Sequence, residues 1–246
     1  MNSKDNLDAL QIPSPSWDGV RNIYKKLSEE FHTLTSAFDI EIDAQTKIYL
    51  DHLIIAIDEI DNCIDELPSK ELRDTITNSL VTFLSDDTTH WSHPDATKEF
   101  SLKIENLKAI VQKQNIETKF VGAAETIFHN TEIKRHTKNI DDLIAFIIEE
   151  GKATAILPLS ILSIKADTPF GMFFTNLCML MGIADLVFDA REDFRKGFID
   201  VKPSFELYRK LVKIVIKDGI SLLLSIPKKL KFMVYCFKFT LALMKG

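Results

Sequence analysis

The stretch from Ala44 to Leu67 constrains this chain most, because it asks one helix to be both oily and acidic. Its apolar residues, among them Ile48, Leu50, Leu53, Ile54, Ile57 and Ile60, cover most of a helix surface. A helix apolar nearly all round belongs in the middle of a protein. Yet Asp51, Asp58, Asp61 and Asp65 fall at spacings of seven, three and four, so they share one stripe. Carboxylates in line on a buried helix repel one another and resist desolvation unless a cation offsets them. A metal site is the simplest reading of the stripe; a solvated helix face is the alternative.

A second stretch answers the first. Asp185-Leu-Val-Phe-Asp-Ala-Arg-Glu-Asp193 places Asp185, Asp189 and Asp193 at four-residue spacing with Glu192 beside them, after the apolar run from Phe170 to Ile183. Two buried helices with acidic stripes can face one another across a cavity and hold several hard cations. Magnesium suits such a site, since it binds a few carboxylates, keeps waters and takes its other ligands from substrate phosphates.

The surrounding chain is helical in character. Of its 246 residues 46% are hydrophobic, with only eight Gly and eight Pro, which fits an all-α, single-domain bundle with a central cavity better than a sheet protein. No segment alternates persistently with period two, and no repeat is apparent. Residues 1–16 read as a flexible tail and 17–246 as one helical domain. Helices are predicted over Trp17–Phe38, from Asp43 as N-cap to Pro68, over Glu71–Leu84, Lys98–Gln114 and Glu117–Phe128. His129–Lys138 reads as a solvated polar connection. Asn139 or Asp141 caps the next helix, in which Gly151 and Pro158 imply a break or kink. Thr168-Pro169 starts a long helix that Gly197 stops, roughly 42 Å in length. Met172, Met179 and Met181 with Phe173 and Phe174 could line a pocket for an oily chain, although ordinary core is the plainer role for most of them. Two further helices follow, Ser204–Ser225 and, after Pro227, Lys228–Leu243.

Several function classes drop out. A net charge of −6 argues against general nucleic-acid binding. There is no Gly-rich phosphate loop, no Cys/His pair in context and no nucleophile-elbow serine. His90 and His93 lie three apart in the polar loop 86–94, without a partnering Cys or third His, so a surface loop is preferred to zinc. Cys63, Cys178 and Cys236 show no metal-ligand spacing, and Met1–Pro15 is polar and acidic rather than basic-then-apolar. A cytoplasmic protein without signal peptide is therefore expected. No uncharged apolar run reaches the length of a membrane span. From Pro203 onward, however, nine Lys and Arg face two acids. The oily face and lysines of Pro227–Lys245 suit loose attachment to the inner face of an anionic membrane, against the plainer reading of a core helix with snorkelling lysines.

Both acidic stretches carry a resemblance. Asp58-Glu-Ile-Asp-Asn-Cys-Ile-Asp65 resembles the "DYLDNLCD" element of the bacterial large-terpene synthases of the tetraprenyl-curcumene type, with Glu66 where that family carries Arg. Phe188-Asp-Ala-Arg-Glu-Asp-Phe-Arg-Lys-Gly197 is similar to their second element, "IDQEEDREGG". The pair is more loosely like that of the squalene and phytoene synthases. The resemblance implies a class I terpenoid-synthase fold and a terpene synthase, a carbon–oxygen lyase of isoprenoid biosynthesis. It would ionise a prenyl diphosphate, release diphosphate and shield an allylic cation from water. Three Mg²⁺ ions would be held by Asp58, Asp61 and Asp65 on one side and by Asp185, Asp189 and Asp193 on the other. Glu192 is the substitute if the register slips by one. Of these, Asp58, Asp61 and Asp189 are the expected catalytic residues. Arg195 and Lys196 are the expected diphosphate contacts, followed by Arg209 and Lys213. In this family a broken helix lines the cavity opposite the first motif, and the Gly151–Pro158 segment is the candidate.

Two rivals stand beside this reading. One is a prenyltransferase of the squalene or phytoene synthase kind, ranked lower because that motif's Gln and Asn and its Arg-Tyr-Leu-Pro sequence are absent. The other is a non-catalytic helical protein that binds a lipid or a partner and keeps its acids as surface. A homodimer is compatible with all three.

Overall fold

Local chemistry decides where the helices begin and end. Asp43 accepts from the Thr46 amide at 2.8 Å, Ser69 from Leu72, Thr97 from Phe100 and Ser204 from Leu207, each satisfying an otherwise unpaired first-turn N–H. Thr168 does the same for Gly171 at 3.1 Å, with Pro169 at the first helical position. Gly197 ends that helix in the left-handed region at φ 77°, where an L side chain would be strained.

The result, in a computed structural model that describes residues 12–226, is an all-α fold. Among the described residues there are eight helices and no strand: α1 (Asn22–Ser36), α2 (Ala44–Glu66), α3 (Lys70–Ser85), α4 (Lys98–Lys113), α5 (Glu117–His136), α6 (Ile140–Ile161), α7 (Pro169–Lys196) and α8 (Phe205–Leu224). The membrane-attachment expectation for Pro227–Lys245 lies outside the described residues, as does most of the expected N-terminal tail.

These residues divide into two compact units. The first takes in the chain up to Ser36, Glu41–Gly122 and Ser160–Ser163. Its core is set by the inner faces of α2, α3 and α4, with Leu53, Ile76, Leu80, Ile104 and Ile110 at most 1% exposed. Trp91 closes the loop before α4 by packing edge-on against Phe100 and donating to the Ser79 hydroxyl at 2.9 Å. The second unit takes in Ala37–Ile40, Ala123–Leu159 and the chain from Ile164. There α8 lies along α7, and Leu143, Ile147, Ile183, Leu186, Leu207 and Leu211 form the core.

Three expectations fail for identifiable reasons. The first helix starts at Asn22, not Trp17, because Gly19 takes φ 76° and turns the chain out of helical geometry. His129–Lys138 is not a solvated connection, because α5 runs through His136. Its polar residues find internal surroundings instead: Asn130 and Arg135 are buried, Lys134 pairs with Glu150 at 2.7 Å, and Arg135 lies over the Phe198 ring. Gly151 and Pro158 do not break α6, which is continuous. Pro158 has no N–H to give the Thr154 carbonyl, and the helix ends soon after it, at Ile161. Gly151 serves close approach: a Cβ there would sit 2.7 Å from the Met179 Cα of α7.

By length and composition α7 is the described helix apolar enough to cross a membrane, with mean hydropathy 1.7 over its best window. Core helices of soluble proteins meet the same criterion, although only 33% of this window is buried. Of the expected pocket residues in α7, Phe173 and Phe174 are buried, packed with Phe170 and in part with Phe38, whereas Met172 and Met181 are exposed.

Candidate metal and diphosphate site

The first acidic stripe runs along α2 in the first unit, and its members meet three different environments. Asp51 is buried and held by the Ser28 hydroxyl and by Lys47 at 2.9 Å. Asp58, only 2% exposed, accepts from the Arg21 side chain through Oδ1 and from the Arg21 backbone N–H at 3.1 Å through Oδ2. The other end of the same guanidinium reaches Asp61 Oδ2 at 2.7 Å. Burial works against the charge on Arg21, but the hydrogen bonds it donates to Asp61 and Asp58 outweigh it and push its pKa up. Asp65, one turn further on, is exposed.

Arg21 is therefore the residue that sequence reasoning missed. The cation that offsets Asp58 and Asp61 in the structure is a guanidinium from just before α1, which also stacks on the Tyr24 ring 4.9 Å away. No spacing rule links positions 21, 58 and 61, so only the tertiary fold reveals the pairing.

The second stripe lies at the end of α7 in the second unit. Asp185 and Asp189 are exposed and Asp193 is half-buried. Burial pushes the Asp193 carboxyl up to about 6, and the neighbouring carboxylates of Asp185 and Asp189 add to the shift against the pull of Lys134 and Lys196. These three aspartates thus share one field, as their spacing required. Glu192 stands apart: it is bonded by Lys196 at 2.8 Å, which lowers its pKa, and lies 3.8 Å from Arg195. Arg195 and Lys196 are consequently engaged in a surface ion-pair cluster on their own helix. Arg209 and Lys213 are exposed on α8, on the side opposite Leu207 and Leu211. Lys134 was the second residue missed, because its segment reads as polar connection.

Among the described residues no three His, Cys, Asp or Glu side chains converge as a metal ion would need. The two stripes differ in how they suit one. Asp185, Asp189 and Asp193 fit magnesium in donor chemistry and charge, since a hard cation would relieve the mutual repulsion recorded at Asp193. Asp58 and Asp61 have oxygens committed to Arg21, and would need Arg21 to release them first. In the loop 86–94, His90 pairs with Glu105 and His93 lies against the Trp91 ring, the ordinary furniture of a surface loop.

No family model, characterised protein or solved structure matches this chain.

Proposed function

We propose that the protein is a magnesium-dependent enzyme of the class I terpene synthase kind, ionising a prenyl diphosphate and releasing diphosphate. The observation that carries this reading is the carboxylate row Asp185, Asp189 and Asp193 at the end of α7, where burial first and then the two neighbouring carboxylates raise Asp193 to about 6. Such a field is costly without a cation and useful with one. The motif resemblance of Asp58–Asp65 and Phe188–Gly197 points to the same chemistry.

Magnesium held by Asp185, Asp189 and Asp193 would supply positive charge to the diphosphate oxygens. The chain's own share is distinct. Asp185, Asp189 and Asp193 offer hard oxygen donors. Arg195 and Lys196, just past Asp193 at the end of α7, would receive the departing diphosphate once Glu192 yields them. The bonding pair leaves with the diphosphate oxygen, and the allylic cation then loses a proton or takes up water. In the first unit, Asp58 and Asp61 could offer their oxygens to a cation only if Arg21 released them. Coupling of two prenyl diphosphates by the same ionisation is the variant within this chemistry.

A second reading is favoured by the Arg21 clamp itself. A buried carboxylate that already has its counter-ion is what a non-catalytic helical lipid- or partner-binding protein would keep. Incubation with Mg²⁺ and the series from geranyl to geranylfarnesyl diphosphate, followed by analysis of the organic extract, separates the readings. A hydrocarbon or alcohol product that disappears in Asp189→Asn supports the enzyme. Intact substrate throughout the series supports the binding protein.

A further inference from the structure

We infer that the outward face of α8 is a docking surface for an anionic membrane. α8 turns Leu207, Leu211 and Leu222 inward, and Gly219 lies against Leu180 of α7. Its other side carries Phe205, Val212, Ile216, Ile220 and Leu224, exposed by 84, 42, 58, 54 and 65%. At 3.6 residues per turn, the first four of these fall within about a quarter of the helix circumference. Single exposed apolar residues are normal, but a row along a whole helix is not, and such patches mark interaction surfaces.

The charges on that side choose the partner. Arg209, Lys213 and Lys217 are exposed among and beside the apolar row. Glu206, the acid at its start, lies 3.4 Å from Lys210. A straight row of about 30 Å made of aliphatic side chains, one Phe and long cations has the composition of a helix lying in a lipid headgroup layer. The lysine and arginine stems can lie along the oily row while their charges reach upward to lipid phosphates. The sequence continues in the same sense, with Lys228, Lys229 and Lys231 following. This inference holds whatever the acidic row on α7 does.

The test is co-sedimentation of the full chain with vesicles of phosphatidylcholine alone and with one-third phosphatidylglycerol, at low and high salt. Binding to the anionic vesicles at low salt, weak binding to the neutral ones, and release by salt are expected. Each cation at the surface is worth roughly a factor of five, so Arg209→Gln/Lys213→Gln/Lys217→Gln should weaken binding on the order of a hundredfold. Ile216→Ser/Ile220→Ser should also release the protein, with its melting temperature unchanged because both side chains are exposed. Absence of wild-type binding overturns the inference, as does full binding by both variants. A several-degree fall in the melting temperature of Ile216→Ser/Ile220→Ser, or its conversion of a dimer to a monomer, also overturns it. Either would mean that this chain or a second copy already covers the row.

Discussion

Burial pushes the Asp193 carboxyl up to about 6, while an unfolded Asp titrates near 3.9. Between those values the folded protein binds the proton more tightly than the unfolded one. Stability therefore falls as pH rises through that window and stays lower above it. Asp193→Asn should raise the melting temperature at pH 7 and change it little at pH 4. Thermal unfolding across pH checks this; an equal shift at both pH values would contradict it. Asp86 has the opposite sign. The Thr88 hydroxyl first, and then Lys108, hold its carboxyl down to about 2, so its contribution is present above the unfolded value and fades as pH falls toward 2. At the same scale, Arg21→Met should destabilise the fold by on the order of 3 kcal/mol, because it leaves buried Asp58 without a counter-ion. Adding Asp58→Asn should recover part of that loss in urea titrations, whereas a loss that simply doubled would argue against the clamp.

Among the elements, the helix ends that carry a local capping signal were readable, whereas the start of α1 and the end of α5 were not. Asp43, Thr168-Pro169 and Gly197 act on amides or torsions within a few residues, so their roles follow from sequence order alone. The segment 129–138 misled because its partners, Glu150 and Phe198, are distant in sequence, and nothing local says that Asn130 and Arg135 are buried. Gly151 was visible as an interruption, but its reason is the backbone of α7, which no pattern within α6 encodes. A contrast follows. Gly151→Ala should cost on the order of 1–3 kcal/mol, because its Cβ would meet Met179 backbone rather than a flexible side chain. Gly122→Ala, also helical but with open space around the added carbon, should gain up to about 1 kcal/mol. Paired denaturant curves compare them, and similar effects at the two sites would count against the close approach of α6 and α7.

At the level of the whole molecule, the all-α class followed from periodicity and from the scarcity of Gly and Pro. The carboxylate rows were also legible, since helical spacing alone aligns Asp185, Asp189 and Asp193. What the spacing could not reveal is which carboxylates already have a partner. Arg21 neutralises Asp58 and Asp61 in the first unit, while Asp193 in the second keeps a raised pKa beside Asp185 and Asp189. The chemistry proposed for the molecule rests on that second row taking magnesium together with a diphosphate.

Thermal unfolding with Mg²⁺, with pyrophosphate and with both tests this most directly, since it needs no knowledge of the prenyl chain. Metal without the anion leaves ligand positions to water, and the anion without metal meets carboxylates. A ligand pair at about 100 times its dissociation constant adds roughly 2.7 kcal/mol, or on the order of 5–10 °C for a chain of this size. The account predicts that shift for the pair, a smaller one for either alone, and none for the pair in Asp189→Asn. A wild-type protein indifferent to the pair at millimolar concentration, or an Asp189→Asn protein that keeps the full shift, would contradict it.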